Sequence, residues 1–304
     1  MIDPQGTRTT ESPAFCAQAA CILDVLAEKA GNVHLRRDFS DVGAGDFLLS
    51  GAAIAPILDR ASGRPLGETI LEAVRATSKV ARGNTNLGIV LLLAPLATVF
   101  RSEDIRVAVS NCLRSTTVND AVLAYEAIRE ARPGGLGEVE DQDIHTTPSQ
   151  TLLEVMSLAE DRDAVARQYA RSFVDVFEIG LPALVRANDV GLSTRGATVQ
   201  CHLEFLASAP DSLIQRKCGV EVAREASTRA RRVLAEGWPE KAVARRSFAD
   251  LDEWLRADGN RRNPGTSADL TVASLFLAIR DGILIPASDV LAAVAGHSGR
   301  NHEA

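Results

Sequence analysis

The chain has 304 residues, 46% of them apolar and 24% charged, a usage that excludes a disordered or fibrous polymer and is enough for one large core or two small ones. A formal net charge of -7 excludes a nucleic-acid scaffold, because an acidic surface repels a phosphate backbone. A local basic pocket for one small phosphorylated compound stays open.

The first residues, Met1 to Pro13, are polar and lack the basic-then-apolar order of a secretory signal. The most apolar run, Leu87 to Phe100, is too short to cross a bilayer, so a cytoplasmic protein without a membrane partner is expected. Apolar residues then recur at helical spacing over Phe15 to Ala30, Asp46 to Arg60, Glu68 to Ala81, Gly88 to Phe100, Ile105 to Leu113, Asn119 to Ala131, Leu152 to Leu158 and Ala164 to Arg186. The pattern continues over Gly196 to Leu206, Leu213 to Glu236, Phe248 to Ala257 and Ser267 to Arg280. Alternating strand patterns are nearly absent, and the short β-branched runs lie inside longer apolar stretches. The expected fold is all-α, a single compact array of about a dozen helices over residues 13–296, with flexible tails at 1–12 and 297–304. Cys16, Cys21, Cys112, Cys201 and Cys218 fall at unrelated spacings, mostly inside the apolar patterns, and read as small hydrophobes rather than a disulfide or zinc framework. The longest non-periodic segment, Arg132 to Ser149, is longer than a connection needs and reads as a loop bordering a site.

Four polar strings interrupt the helices. The first is Gly31-Asn32-Val33-His34-Leu35-Arg36-Arg37-Asp38-Phe39, with Asp46 nearby, and the second is Gly83-Asn84-Thr85-Asn86-Leu87-Gly88, just before an apolar helix whose free N–H groups can face an anion. Taken alone, the second is explained as a helix cap, and His34 as a packed histidine. The third, Glu160-Asp161-Arg162-Asp163-Ala164-Val165-Ala166-Arg167, opens a helix; a cap accounts for one acid but not two. Asp161 and Asp163 flank a turn where both can reach one Mg²⁺, which takes few carboxylates and completes its octahedron with water and substrate phosphate. The fourth, running from Asp258 through Arg261, Arg262, Asn263, Pro264 and Gly265 to Asp269, again leads into an apolar helix. Converging helix ends would bring all four strings to one pocket.

In this order the strings resemble the triphosphoribosyl-dephospho-CoA synthase family. The likeness is carried by Lys29-Ala30-Gly31-Asn32-Val33-His34 with Asp38, by Asn84-Thr85-Asn86-Leu87-Gly88, by Asp161-Arg162-Asp163-Ala164-Val165-Ala166-Arg167 and by Asn263-Pro264-Gly265-Thr266-Ser267-Ala268-Asp269-Leu270. The resemblance implies an all-α transferase that moves a 5-phosphorylated ribosyl group from a nucleotide-type donor, ATP in the type reaction, to a hydroxyl of a coenzyme precursor. The chain departs from the family pattern in having Asn86 and Leu87 where a His-Lys pair is usual, and Pro133-Gly134-Gly135-Leu136-Gly137 where an arginine is usual. Two phosphate-clamping cations are thereby missing, so donor, acceptor or both can differ. Its variant strings look most similar to a branch associated with tetrahydromethanopterin biosynthesis, a coenzyme with the same type of ribosyl bond.

On that reading Asp161 and Asp163 hold Mg²⁺. Arg167, with Arg37 or Arg262, takes phosphate, and Asp38 or His34 is the general base. Asn32, Asn84, Asn86 and Asp269 orient substrate. Two other readings remain: a metal-dependent hydrolase of ribosyl or phosphate bonds, in which the same acids activate water, and a non-catalytic helical binding protein. The partners expected are the small-molecule donor and acceptor, with no nucleic acid, and a homo-oligomer is compatible with this reading.

Overall fold

In a computed structural model, residues 11–39, 42–133 and 144–285 are described. The expected tails fall outside these residues save for Glu11 and Ser12, as does the 134–143 part of the long loop. Among the described residues there are fourteen α-helices and no strand. The first six are α1 (Pro13–Leu26), α2 (Ala44–Leu58), α3 (Leu66–Ser78), α4 (Leu87–Thr98), α5 (Ile105–Arg114) and α6 (Val118–Ala131). They are followed by α7 (Leu152–Ser157), α8 (Ala164–Ala170), α9 (Leu181–Asp189), α10 (Thr194–Ser208), α11 (Ser212–Cys218), α12 (Val220–Ala235), α13 (Ala242–Arg256) and α14 (Gly265–Arg280). No helix among the described residues is long and apolar enough to cross a membrane.

Local chemistry sets the boundaries. Ser12 Oγ accepts the Phe15 N–H at 3.1 Å and Pro13 occupies the first turn, where its missing donor costs nothing. Thr117 and Asp120 form a reciprocal capping box at α6, and Thr151 and Glu154 do so at α7. Asp120 also reaches across to α3: its Oδ1 accepts the Gly67 N–H at 2.8 Å, where the bare glycine lets the two helices touch.

The apolar pattern resolves into adjoining cores. α4, apolar all round, is buried along most of its length, as is α14 from Leu270 to Ile279; around these two pack α1, α3, α9 and α10. A second cluster joins α10 to α11, α12 and α13 through Leu203, Leu206, Ile214, Ala226, Val233 and Leu255. Two helices expected to be continuous are broken. Residues 164–186 divide at Ser172 and Phe173, both left-handed (φ 50° and 62°), and a π-helical turn, Val176–Gly180, precedes α9. Asp175 holds this kink by accepting from Arg167 Nε and Gln168 Nε2, each at 2.8 Å. Residues 213–236 divide at Gly219, whose φ of 90° ends α11.

Gly180 marks the tightest helix approach to α14. A Cβ there would lie 2.0 Å from Ser274 Oγ and 2.5 Å from the Phe205 ring, both buried. Gly180→Ala is therefore expected to destabilise the fold by about 1–3 kcal/mol, since neither neighbour can yield into solvent. A fall in the denaturant midpoint at unchanged m-value checks this.

Candidate functional site

A cleft of about 930 Å³ opens where the first turns of α4, α8 and α14 converge with the ends of α6 and α1. Segments of all four polar strings line it: Asn32 and Phe39, the run 83–88, Arg162 and Asp163, and most of the stretch 259–269, though not Arg262. Arg132, Pro133 and Ile144, at the described ends of the long loop, line it as well.

Of the residues singled out in the sequence, Asn32, Asn84, Asn86, Asp163 and Asp269 face this cleft. Asn32 Nδ2 donates to Asn263 Oδ1 at 3.0 Å, tying the first string to the fourth. Asn84 Oδ1 accepts the N–H of Leu87, the first residue of α4, at 3.1 Å, and Asn86 occupies the N-cap position. Asp163 Oδ1 accepts from Val165 and Ala166 N–H at 2.8 and 3.1 Å, capping α8, while its Oδ2 pairs with Arg216. A single acid therefore serves as cap and still turns an oxygen to the cleft wall.

Asp269 rests on bare backbone. A Cβ on Gly88 would come within 2.1 Å of Asp269 Oδ2, so the carboxyl lies against the first turn of α4 in the space a side chain would fill. Burial, and after it the charges of Asp24, Asp211 and Asp163, push its pKa well above the usual carboxylate value; Arg216 opposes them.

The other expected residues are held elsewhere, each by a visible interaction. Asp161 is exposed and lies outside this lining, while the cap Asp163 turns inward. Arg167 is bound to Asp175 at the kink, with Nη2 to Oδ2 at 2.7 Å. Arg37 pairs with Asp252 at 3.0 Å. Arg262 lies over the Trp254 ring at 4.6 Å and donates to the Trp254 carbonyl. Asp38 Oδ1 accepts the Ala44 N–H at 2.7 Å at the start of α2. His34 is buried in a turn with its Nδ1 facing the Arg36 N–H, and burial, with Arg256 next, lowers its pKa. Asp46 pairs with Arg82 at 2.9 Å, which holds its pKa down at about 2.

Several residues of the site stand inside apolar patterns. Asp24 is the sole charged residue of α1, lines the cleft, and lies 2.7 Å from the Nζ of Lys29, itself fully buried. Burial pushes Asp24 up and Lys29 down, and each opposes the other's shift. Asp211 caps α11 with Oδ1 and accepts the Ser267 N–H and hydroxyl with Oδ2, both at 2.8 Å, fixing α11 to α14. His202, fully buried beside Lys29, is lowered to about 3 by burial and is neutral. Arg162, Arg216, Lys217 and Arg261 bring positive charge to the cleft. A lone Asp in an uncharged helix was the signal for Asp24; Arg216 and Lys217 carried none beyond an ordinary helix end.

Among the described residues no three His, Cys, Asp or Glu side chains form a ready metal cage. The acids lining the cleft are Asp24, Asp163 and Asp269, a donor set that suits a hard cation retaining several waters.

Fold and cleft together define an all-α protein with a cavity of mixed polar and apolar lining at converging helix ends. The chain belongs to the ATP:dephospho-CoA triphosphoribosyl transferase family, whose profile matches residues 10–284. It is 27% identical over 167 residues to a "Probable 2-(5''-triphosphoribosyl)-3'-dephosphocoenzyme-A synthase" of Pseudomonas syringae, covering 52% of this chain and 53% of the relative. A protein of the same name from Stutzerimonas stutzeri is 32% identical over 114 residues, 37% of this chain and 38% of the relative. The chain thus spans about half or less of the curated relatives it matches. The solved structure of a "putative triphosphoribosyl-dephospho-coA synthase from Archaeoglobus fulgidus" superposes with a TM-score of 0.61 at 30% identity, covering 77% of this chain and 99% of that one.

Proposed function

We propose that residues 13–296 act as one catalytic domain that transfers a 5-phosphorylated ribosyl group from ATP to a hydroxyl of a coenzyme precursor. The observation that carries this reading is the single cleft in which the four polar strings meet, with Asp269 aimed at the first turn of α4. Dephospho-CoA is the acceptor the family name gives; a ribitol-bearing tetrahydromethanopterin precursor is the alternative supported by the variant strings.

In the proposed reaction the bond from the ribose anomeric carbon to adenine breaks, adenine leaves with the electron pair and takes a proton, and the acceptor oxygen bonds to that carbon. We assign the acceptor's hydroxyl proton to Asp269, because burial raises its pKa above the usual carboxylate value and so makes it a stronger base. Arg162, Arg216, Lys217 and Arg261 neutralise the donor phosphates, and Asn32 and Asn84 orient the ribose. Asp163 with Asp24 would hold Mg²⁺, which supplies phosphate charge neutralisation when bound.

The test is adenine release from ATP with and without each acceptor. Release that requires dephospho-CoA or the pterin precursor is expected, and Asp163→Asn should lower it at least about tenfold while the thermal midpoint holds, because Asn also caps a helix. Release with water alone would replace the transferase by a hydrolase; no release under any condition would overturn the reading.

A further inference from the structure

The cleft has two walls of different chemistry. On one side the Ala164 N–H donates to Ser212 Oγ at 3.2 Å and the Ser267 N–H to Asp211 Oδ2 at 2.8 Å, which ties α8, α11 and α14 together. These helices, with the end of α1, supply Asp24, Asp163, Arg216, Lys217 and Asp269. This is the charged wall that the proposed reaction uses.

The other wall is built by α6, α7 and the second turn of α4. The Leu152 N–H donates to the Thr117 carbonyl at 3.2 Å and seats α7 against the start of α6. To the lining these helices bring Leu91, Tyr125, Ile128, Val155 and Met156, and Leu158 follows at the end of α7. Among the described residues α6, α7 and α4 contribute no charged side chain to it. Ile128 is half-buried and Leu158 is 48% exposed, so apolar surface here stays open to whatever fills the cleft.

The backbone of this wall is already engaged. The Val155 N–H donates to the Thr151 carbonyl at 3.0 Å and the Leu158 N–H to the Glu154 carbonyl at 3.2 Å. The Ile128 carbonyl accepts from the Arg132 N–H at 3.2 Å, and the Leu91 carbonyl from the Tyr169 hydroxyl at 2.7 Å. Of the six lining side chains, only Tyr125 carries a hydroxyl. A purine edge, or the amides of a pantetheine arm, would be desolvated here with several groups unmatched, whereas a hydrocarbon ring or chain has none to lose. Position links this wall to the reacting end. Leu91 stands one helix turn, about 5 Å, beyond Gly88, against which the Asp269 carboxyl rests.

We propose that this apolar wall receives an uncharged aryl or alkyl group of the acceptor, which makes the substrate class an alcohol with a hydrophobic end group rather than a nucleotide. The role of that ligand as acceptor rests on the transferase reading; the apolar subsite does not.

Calorimetric titration of the full chain with ribitol, its methyl ether, its benzyl ether and inorganic tripolyphosphate tests it. The benzyl ether should bind at least about tenfold tighter than ribitol, with the methyl ether between them. Val155→Thr, which keeps the shape and adds a hydroxyl, and Ile128→Gln should each cut that gain about threefold or more. Both should leave tripolyphosphate within about twofold, which shows that the variants are folded. Met156→Leu, apolar and of similar volume, should keep the gain. Equal affinity for ribitol and its benzyl ether would overturn the subsite. So would free adenine that displaces the benzyl ether and is weakened equally by the two variants, since the wall would then belong to the leaving base. If the benzyl ether binds and is weakened by the variants while no acceptor elicits adenine release, the subsite stands and the transferase reading falls. If dephospho-CoA elicits adenine release while the benzyl ether binds no better than ribitol, the transferase stands and the subsite falls.

Discussion

Gly88→Ala is expected to lower turnover by about 100-fold or more and to destabilise the protein. Ordinarily the exchange would help, because alanine in a helix is favoured over glycine by about 1 kcal/mol. Here the new methyl would lie 2.1 Å from Asp269 Oδ2 and 2.6 Å from its Cγ, and only 3.2 Å from its Cβ. The carboxyl must retreat by about 1 Å, a displacement large enough to cost two orders of magnitude when the displaced group handles the proton. Overpacking costs about 1–3 kcal/mol, which exceeds the propensity gain, so the net effect on stability is a loss. A double-mutant cycle assigns the cause. In an Asp269→Ala background the methyl has room, and Gly88→Ala should become neutral or stabilising. Equal midpoint losses in the two backgrounds would show that the glycine is needed for some other reason.

Much of this architecture was legible in the sequence because helix periodicity survives in single residues: α4 and α14 are apolar enough to announce a buried position, and both do lie at the centre. The breaks were less legible. The run 164–186 keeps a helical pattern through Ser172 and Phe173, and what divides it is a tertiary tie between Asp175, Arg167 and Gln168 that no local propensity encodes. Gly219 inside the run 213–236 was a visible breaker, and its positive φ ends the helix there.

The site divides in a similar way. Polar residues at helix starts could be gathered into four strings, and all four contribute to the cleft, because helix ends are where loops leave backbone and side chains unpacked. Which member of each string faces inward depended on tertiary partners. Asp252 on α13 takes Arg37, Trp254 takes Arg262, and Asp175 takes Arg167, each from a position outside the string it neutralises. Of the cations that line the cleft, Arg162 and Arg261 belong to the strings, whereas Arg216 and Lys217 sit at the end of a short helix where basic residues are ordinary, and so gave no signal.

Asp269→Asn should move stability and activity in opposite directions, which separates a strained functional group from a structural one. The Asp269 pKa is raised above its unfolded value of 3.8, first by burial and then by Asp24, Asp211 and Asp163. A raised folded-state pKa contributes stability that is fully present below the unfolded pKa and is lost as pH rises through the folded one. The wild-type thermal midpoint should therefore fall as pH rises from about 4 toward neutrality and beyond, and Asp269→Asn, which cannot ionise, should fall less and be the more stable protein at neutral pH. Catalysis has the reverse dependence, because a base works only once its proton is gone: wild-type kcat/KM should rise over the pH range in which stability falls. In the variant that rising limb should vanish and turnover should drop by about 10²- to 10⁴-fold, the usual worth of a positioned base. Turnover within threefold of wild type, or midpoints that run parallel across pH, would assign the proton to another group and leave Asp269 as a packing residue between α14 and α4.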